Sequence, residues 1–380
     1  MDELVLTNAR LVGRSAVFRG TLQIADGRIG SVDRNGTVAA GAIDLDGDYL
    51  LPGLVDVHTD NLERHMLPRS TVRWPALSAL LSHDAQVAGV GITTVLDAVC
   101  LGIEYDNEGR ARDFSEQSLA ALREANSSGW LRAEHYVHLR CDLPGKDVAA
   151  QLEMVLDEPL LRLVSLMDHT PGQRQVRDLA RSRRVLERQG PISDEEWERR
   201  LAEMREKQAK YAAENRRLLL ELMKSRSTPL ASHDDTTVEH VEEAHASGIR
   251  ISEFPTTMEA ARAARRCGMT TVMGAPNVVM GESQSGNVSA QDVFEAGLLD
   301  CLSSDYAPVS MLHAAFLLAG GDESELAEAV ATMTAAPANV VGLEDRGVIE
   351  AGKRADLVQV QLCGSIPRVV RVWREGRRVA

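Results

Sequence analysis

A chain of 380 residues with 44% hydrophobic composition can build one large core plus an accessory domain, which excludes a disordered protein. Its 42 basic against 56 acidic side chains give a formal charge of −14, which excludes general attraction to nucleic acid or an anionic membrane; an anionic substrate needs a local basic pocket. Cys100, Cys141, Cys267, Cys301 and Cys363 are too few and too scattered for a disulfide framework or thiolate zinc site, and with an acidic N-terminus and no apolar run approaching ~20 residues the expectation is a cytoplasmic protein.

The first predicted elements are strands at Leu4–Val12, Gly20–Ala25 and Arg28–Val32, the last two joined by Asp26-Gly27, a dipeptide that favours a two-residue hairpin turn. From Leu51 to Ala336 the pattern becomes apolar strand, polar strand end, then helix. Strands are expected at Leu54–His58, Gly91–Ala98, Ala133–Cys141, Leu161–Met167, Pro229–His233, Ile249–Glu253, Thr270–Met273 and Leu299–Ser303. Eight such units predict an α/β fold, a (β/α)8 TIM-type barrel, because helical crossovers force parallel strands. Arg354–Gln361 and Val369–Arg374, with a turn at Glu375-Gly376, resemble the opening strands. Residues 1–50 and 337–380 are therefore expected to pair into a small β-sandwich around a barrel domain at 51–336.

The first barrel strand ends in a crowd of potential metal ligands, in the run Leu54-Val55-Asp56-Val57-His58-Thr59-Asp60. Alternation puts His58 and Asp60 on one face, where an imidazole and a carboxylate can seat a zinc-like ion. The competing reading is a polar surface turn after a core strand. Further polar residues follow the other strands, namely Asp97, His138, Arg140, Asp142, Asp168, His169, His233, Glu253, Asn277 and Asp305. Barrel enzymes keep their sites at that face. Singly, Asp97 could cap a loop and His138 could be a satisfied core histidine, but a structural barrel needs no such ring.

Between the fourth and fifth strands lies a charged insertion, residues 171–226, with fifteen Arg/Lys against ten Asp/Glu. It predicts helices at Val176–Arg188 and Asp194–Lys224, the second opened by Ser193 and Glu196 at capping-box spacing. Solvated faces with i,i+4 ion pairs account for most of these charges. Arg174, beside His169, is the exception assigned to phosphate binding. Thr236 and Glu239 have the same capping-box spacing after His233, which reserves Thr236 for a helix start and leaves His233 to act as a ligand.

Pro52-Gly53-Leu54-Val55-Asp56-Val57-His58 and Gly352-Lys353-Arg354-Ala355-Asp356-Leu357-Val358 resemble the amidohydrolase superfamily. More narrowly, the chain is similar to its ribose-triphosphate diphosphatases of phosphonate breakdown. The stretches that carry this include Ser82-His83-Asp84-Ala85, His138-Leu139-Arg140-Cys141, Met167-Asp168-His169-Thr170-Pro171-Gly172, Ala231-Ser232-His233-Asp234-Asp235, Glu253-Phe254-Pro255-Thr256-Thr257 and Ser303-Ser304-Asp305-Tyr306. The resemblance implies a metal-bearing barrel that releases diphosphate from a ribose 5-triphosphate carrying a 1-methylphosphonate.

It implies one or two divalent ions, zinc or else the harder manganese or magnesium, held by His58, Asp60, His233, Glu253 and Asp305, with His169 and Asp142 as further ligands. Many superfamily members open with His-x-His and offer a sixth-strand His; here Asp60 and Glu253 stand instead, and Asp142 replaces a common Glu. Oxygen ligands favour the harder ions. Asp305 is expected to accept the proton of the attacking water, with Asp168 as the alternative base. Phosphate donors are expected from Arg64, Arg69, Arg140, Arg174 and Asn277, and from Ser283, Ser285 and Asn287 in a Gly/Ser-rich loop. The implied partner is a phosphorylated ribose, with a homo-oligomer left open. Competing expectations are C–N hydrolysis, as by a deacetylase or cyclic-amide hydrolase, and a non-catalytic barrel within an assembly.

Overall fold

A computed structural model describes residues 4–34, 41–69, 72–103, 110–176, 179–187, 190–281, 283 and 286–380. They build two sheets. The first is the predicted barrel, whose parallel strands are Leu54–Thr59, Ile92–Leu101, Glu134–Asp142, Leu161–Met167, Leu230–His233, Ile251–Glu253, Thr270–Gly274 and Cys301–Ser303. Neighbours follow chain order, each pair joined by a helical crossover. The ring closes where the eighth strand returns to the first. There Thr59 and Asp305 form a parallel bridge, Asp305 N donates to His58 O at 3.0 Å, and Asp60 N donates to Asp305 O at 2.7 Å. Inside sits an apolar plug that includes Val57, Leu96, Leu163, Ala231, Ile251 and Val272.

Both chain ends form the second sheet, mostly antiparallel, whose own core includes Leu6, Leu11, Leu22, Ile24, Leu357 and Trp373. The two ends meet directly where Tyr49–Pro52 pairs with Leu357–Cys363. The Asp26-Gly27 turn forms as expected, with φ of 50° and 75°, the left-handed pair that a two-residue hairpin requires. Gly53 is the joint between sheet and barrel, because a Cβ there would lie 2.2 Å from Thr93 Oγ1.

In the insertion, Leu179–Glu187 replaces the expected Val176–Arg188 helix, whose residues 177, 178 and 188 lie outside the described ones. The second helix starts at Asp194 with Ser193 accepting from Glu196 N, and runs to Met223 through a π turn at Gln208–Ala212. Thr236 is not the cap of the following helix. Thr237 caps Val238–Ala246, while Thr236 is buried against Thr256 with Oγ1 to Oγ1 at 2.8 Å. Among the described residues no helix is long and apolar enough to cross a membrane.

Candidate active site

Strand ends converge at one mouth of the barrel, and Glu253 is at their centre, fully buried at the end of the sixth strand. His58 Nδ1 donates to its Oε1 at 2.7 Å and His233 Nδ1 to its Oε2 at 2.7 Å. Ser165 Oγ adds a third donor at 2.8 Å. Parallel register sets His233 beside Glu253 on adjoining strands. The His58 and His233 rings lie nearly parallel, 5.8 Å apart at 16°, with Phe254 packed against both.

With both Nδ1 atoms committed, Nε2 is the remaining ligand atom of each ring. His58 Nε2 is buried, has no hydrogen-bond partner among the described residues, and lies 3.7 Å from Asp60 Oδ1. His58, Asp60 and Asp305 bring ligand atoms within 4.8 Å of one another, as do His169, His233 and Asp234. Both carboxylate oxygens of Asp234 are buried without a hydrogen-bond partner among the described residues. Orphaned ligand atoms of mixed imidazole and carboxylate type fit a divalent metal ion, because they cost free energy unless something binds them. The same grouping could include Glu253, although its two oxygens already serve as acceptors.

Three residues within two positions of these strand ends, Asp234, Phe254 and Asp305, adopt left-handed backbone with φ of 58°, 54° and 53°. Such a conformation is uncommon outside glycine and strained for a bulky Phe. It turns Asp234 and Asp305 back toward the mouth. Sequence reasoning missed Asp234 because strand alternation points it away from His233; only that backbone twist recovers it.

Electrostatics follow the burial. Desolvation opposes charge on Glu253, yet the imidazoles of His58, His138 and His233 hold it well below the usual carboxylate range. Burial also opposes charge on His58, which Glu253 and Asp60 outweigh, raising it. His138 is pushed down to about 3 by burial; its Nδ1 donates to Val57 O at 3.1 Å and its Nε2 lies 2.5 Å from Ser165 Oγ. Burial raises the Asp305 carboxyl.

The other expected site residues divide. Asp142 lies 3.4 Å from His169 Nδ1 and so orients that ring. Asp168 accepts from Thr170 N at 3.0 Å and Gln208 Nε2 at 3.2 Å, which ties the insertion to the barrel. Arg140 donates to Asp60 at 2.6 Å, and Arg174 to Asp235 at 2.8 Å and to the His233 carbonyl at 3.0 Å. Both charges are thus neutralised within the protein. Arg64 is exposed and, among the described residues, donates to the Tyr306 carbonyl at 2.7 Å; Arg69 is exposed. Asn277, Ser283 and Asn287 line a pocket of about 240 Å³ together with Asp305. Asn277 also bonds Val288 O at 3.2 Å and Ala290 N at 3.0 Å, clamping the loop. Ser285 lies outside the described residues.

Residues 154–380 match the amidohydrolase family. The chain is 42% identical over 378 residues to the alpha-D-ribose 1-methylphosphonate 5-triphosphate diphosphatase of Escherichia coli (strain K12), covering 99% of this chain and all of that protein. Solved structures of similar fold include a prolidase complexed with N-methylphosphonate-L-proline, with a TM-score of 0.66 at 15% identity over 99% of both chains. A 5-methylcytosine deaminase from Klebsiella pneumoniae liganded with 5-fluorocytosine gives 0.66 at 15% identity, over 99% of this chain and 97% of that one. Family profile, full-length identity and the paired sheet and barrel agree: the chain belongs to the amidohydrolase family.

Proposed function

We propose that this protein is a metal-dependent hydrolase that releases diphosphate from α-D-ribose 1-methylphosphonate 5-triphosphate and leaves the 5-phosphate. The observation that carries the reading is full-length 42% identity to that diphosphatase, in a chain whose orphaned His58 Nε2 faces Asp60 and Asp305. Residues 51–336 would supply the catalytic barrel and the two ends its accessory sheet.

His58, Asp60 and Asp305 would hold one divalent ion, and His169, His233 and Asp234 a second. Bound there, such ions lower the pKa of water and neutralise charge on phosphoryl oxygens. Zinc suits the imidazoles, and the carboxylates accommodate manganese or magnesium. Glu253 fixes the tautomers of His58 and His233 and so leaves both Nε2 atoms as the ligand atoms. An Asp305 carboxylate oxygen accepts the proton of the attacking water. The water oxygen bonds to one phosphorus of the α–β anhydride while the bridging oxygen departs on the other. Asn277, Ser283 and Asn287 wall the adjoining pocket with neutral polar groups, and the carboxylates of Asp60 and Asp235 keep Arg140 and Arg174 in place. A cytoplasmic setting agrees with the free state of all five cysteines.

Metal-reconstituted protein incubated with ribose 5-triphosphates, with and without a 1-methylphosphonate, tests this. Diphosphate release that is faster with the phosphonate is expected. Phosphate release without diphosphate, or amide hydrolysis alone, would overturn it.

A further inference from the structure

A second hollow adjoins the site. It is a groove of about 770 Å³ lined by Asn61, Arg64, His65, Trp74, Gln86 and Tyr306 among others. Tyr306 also lines the 240 Å³ pocket that contains Asp305, so the two hollows meet across the residue that follows the proposed base. Of these two hollows the groove is the one whose volume lies in the range of about 300–1,000 Å³ usual for small-molecule sites.

Its chemistry is mixed in a particular way. Trp74 is 52% exposed and offers a flat apolar wall. Arg64 carries a cation with no carboxylate partner among the described residues, unlike Arg140 and Arg174. Asn61 and Gln86 supply amides.

The floor is braced from behind. Asn61 Nδ2 donates to His83 Nδ1 at 2.8 Å and to Gln86 Oε1 at 2.9 Å, and His65 Nε2 bonds the same Gln86 oxygen at 2.8 Å. His83 Nε2 in turn donates to Asp97 at 2.7 Å, and Asp97 takes His135 Nδ1 at 2.7 Å on its other oxygen. His83, Asp97 and His135 are fully buried. At the far end of this chain His135 Nε2 is buried without a hydrogen-bond partner among the described residues, 3.4 Å from Asp84 Oδ1; at the near end its effect is to fix which way the Asn61 amide points. Among the described residues no hydrogen bond joins this chain to the ring around Glu253; its end is the groove.

We propose that this groove is the subsite for the ribosyl phosphonate end of the substrate, with Arg64 holding the phosphonate anion and Trp74 covering the sugar's apolar face. The smaller pocket beside Asp305 then takes the departing diphosphate. This rests on the diphosphatase reading and adds to it which end of the molecule lies where. His83 and Asp97 act as positioning residues through Asn61.

The test is calorimetric titration of metal-loaded wild type, Arg64→Gln and His83→Gln with two probes, α-D-ribose 1-methylphosphonate 5-phosphate and inorganic diphosphate. Arg64→Gln should weaken the ribosyl phosphonate about 10- to 100-fold, the worth of one charge-assisted hydrogen bond, and leave diphosphate unchanged. His83→Gln should weaken the same probe selectively, with metal content retained. Equal weakening of both probes, or no weakening of the ribosyl phosphonate by Arg64→Gln, would overturn the assignment. Diphosphate release from the triphosphate is followed in parallel. If wild type releases none, the reaction reading fails, whereas selective loss of the ribosyl phosphonate still judges the groove.

Discussion

Glu253 Oε1 accepts the Nδ1 proton of His58 at 2.7 Å, and its other oxygen takes that of His233. One carboxylate thereby sets two imidazole tautomers. Glu253→Gln replaces one acceptor by a donor, so one ring loses its partner. Metal affinity should fall about 10- to 100-fold, read as metal retained against graded chelator. Unchanged retention would show that the rings are held by something else.

Asp305 is locked by its backbone between His58 and Asp60, so Asp305→Asn keeps shape and removes the proton acceptor. A fall in kcat of about 10²–10⁴ is expected, with normal folding and substrate binding. Near-normal turnover at normal metal content would make Asp168 the next base to test.

Arg174 and the fully buried Asp235 form an ion pair at 2.8 Å. Removing one partner of such a pair costs about 3–5 kcal/mol because the other is left charged and unpaired. Arg174→Ala should therefore lower Tm sharply. A variant that kept full stability and lost only substrate affinity would return Arg174 to phosphate binding.

Acid should attack a different place. Burial would raise Glu134, but Arg354 and Arg346 outweigh it and hold it at about 2. The unfolded value is about 4.3. A depressed folded pKa means the contribution is complete above the unfolded value and is lost as pH falls from about 4 toward 2. Glu134→Gln should lower stability by roughly 2–4 kcal/mol at neutral pH, and the gap to wild type should narrow below pH 4 in denaturant titrations. A constant gap would contradict the ion-pair account.

Metal binding should also show as stability. An ion present at about 100 times its Kd adds about 2.7 kcal/mol, so chelation should lower Tm together with activity. Equal Tm values with and without metal would count against the ligand groups around His58 and His233.

Much of this was legible in the residues. Barrel strands appear as apolar runs, and since each ends in polar groups their order along the chain already placed His58, Glu253 and Asp305 at one mouth. The pairing of both ends was expected because the last strands resemble the first, and the Asp26-Gly27 hairpin was readable because its local backbone preference owes little to distant contacts. Such features depend on periodicity and on neighbours close in sequence.

Tertiary structure decided what periodicity cannot express. Whether Arg140 and Arg174 face a ligand or a carboxylate depends on Asp60 and Asp235, 80 and 61 residues away. Asp234 enters the site only through a left-handed φ of 58°, against the alternation that would turn it outward. Glu253 became the acceptor for two rings because the closed barrel brings His58 to it across 195 residues. Local chemistry determined which residues were available, and ring closure determined which atoms meet, since parallel register and barrel curvature arise only when all eight strands pair.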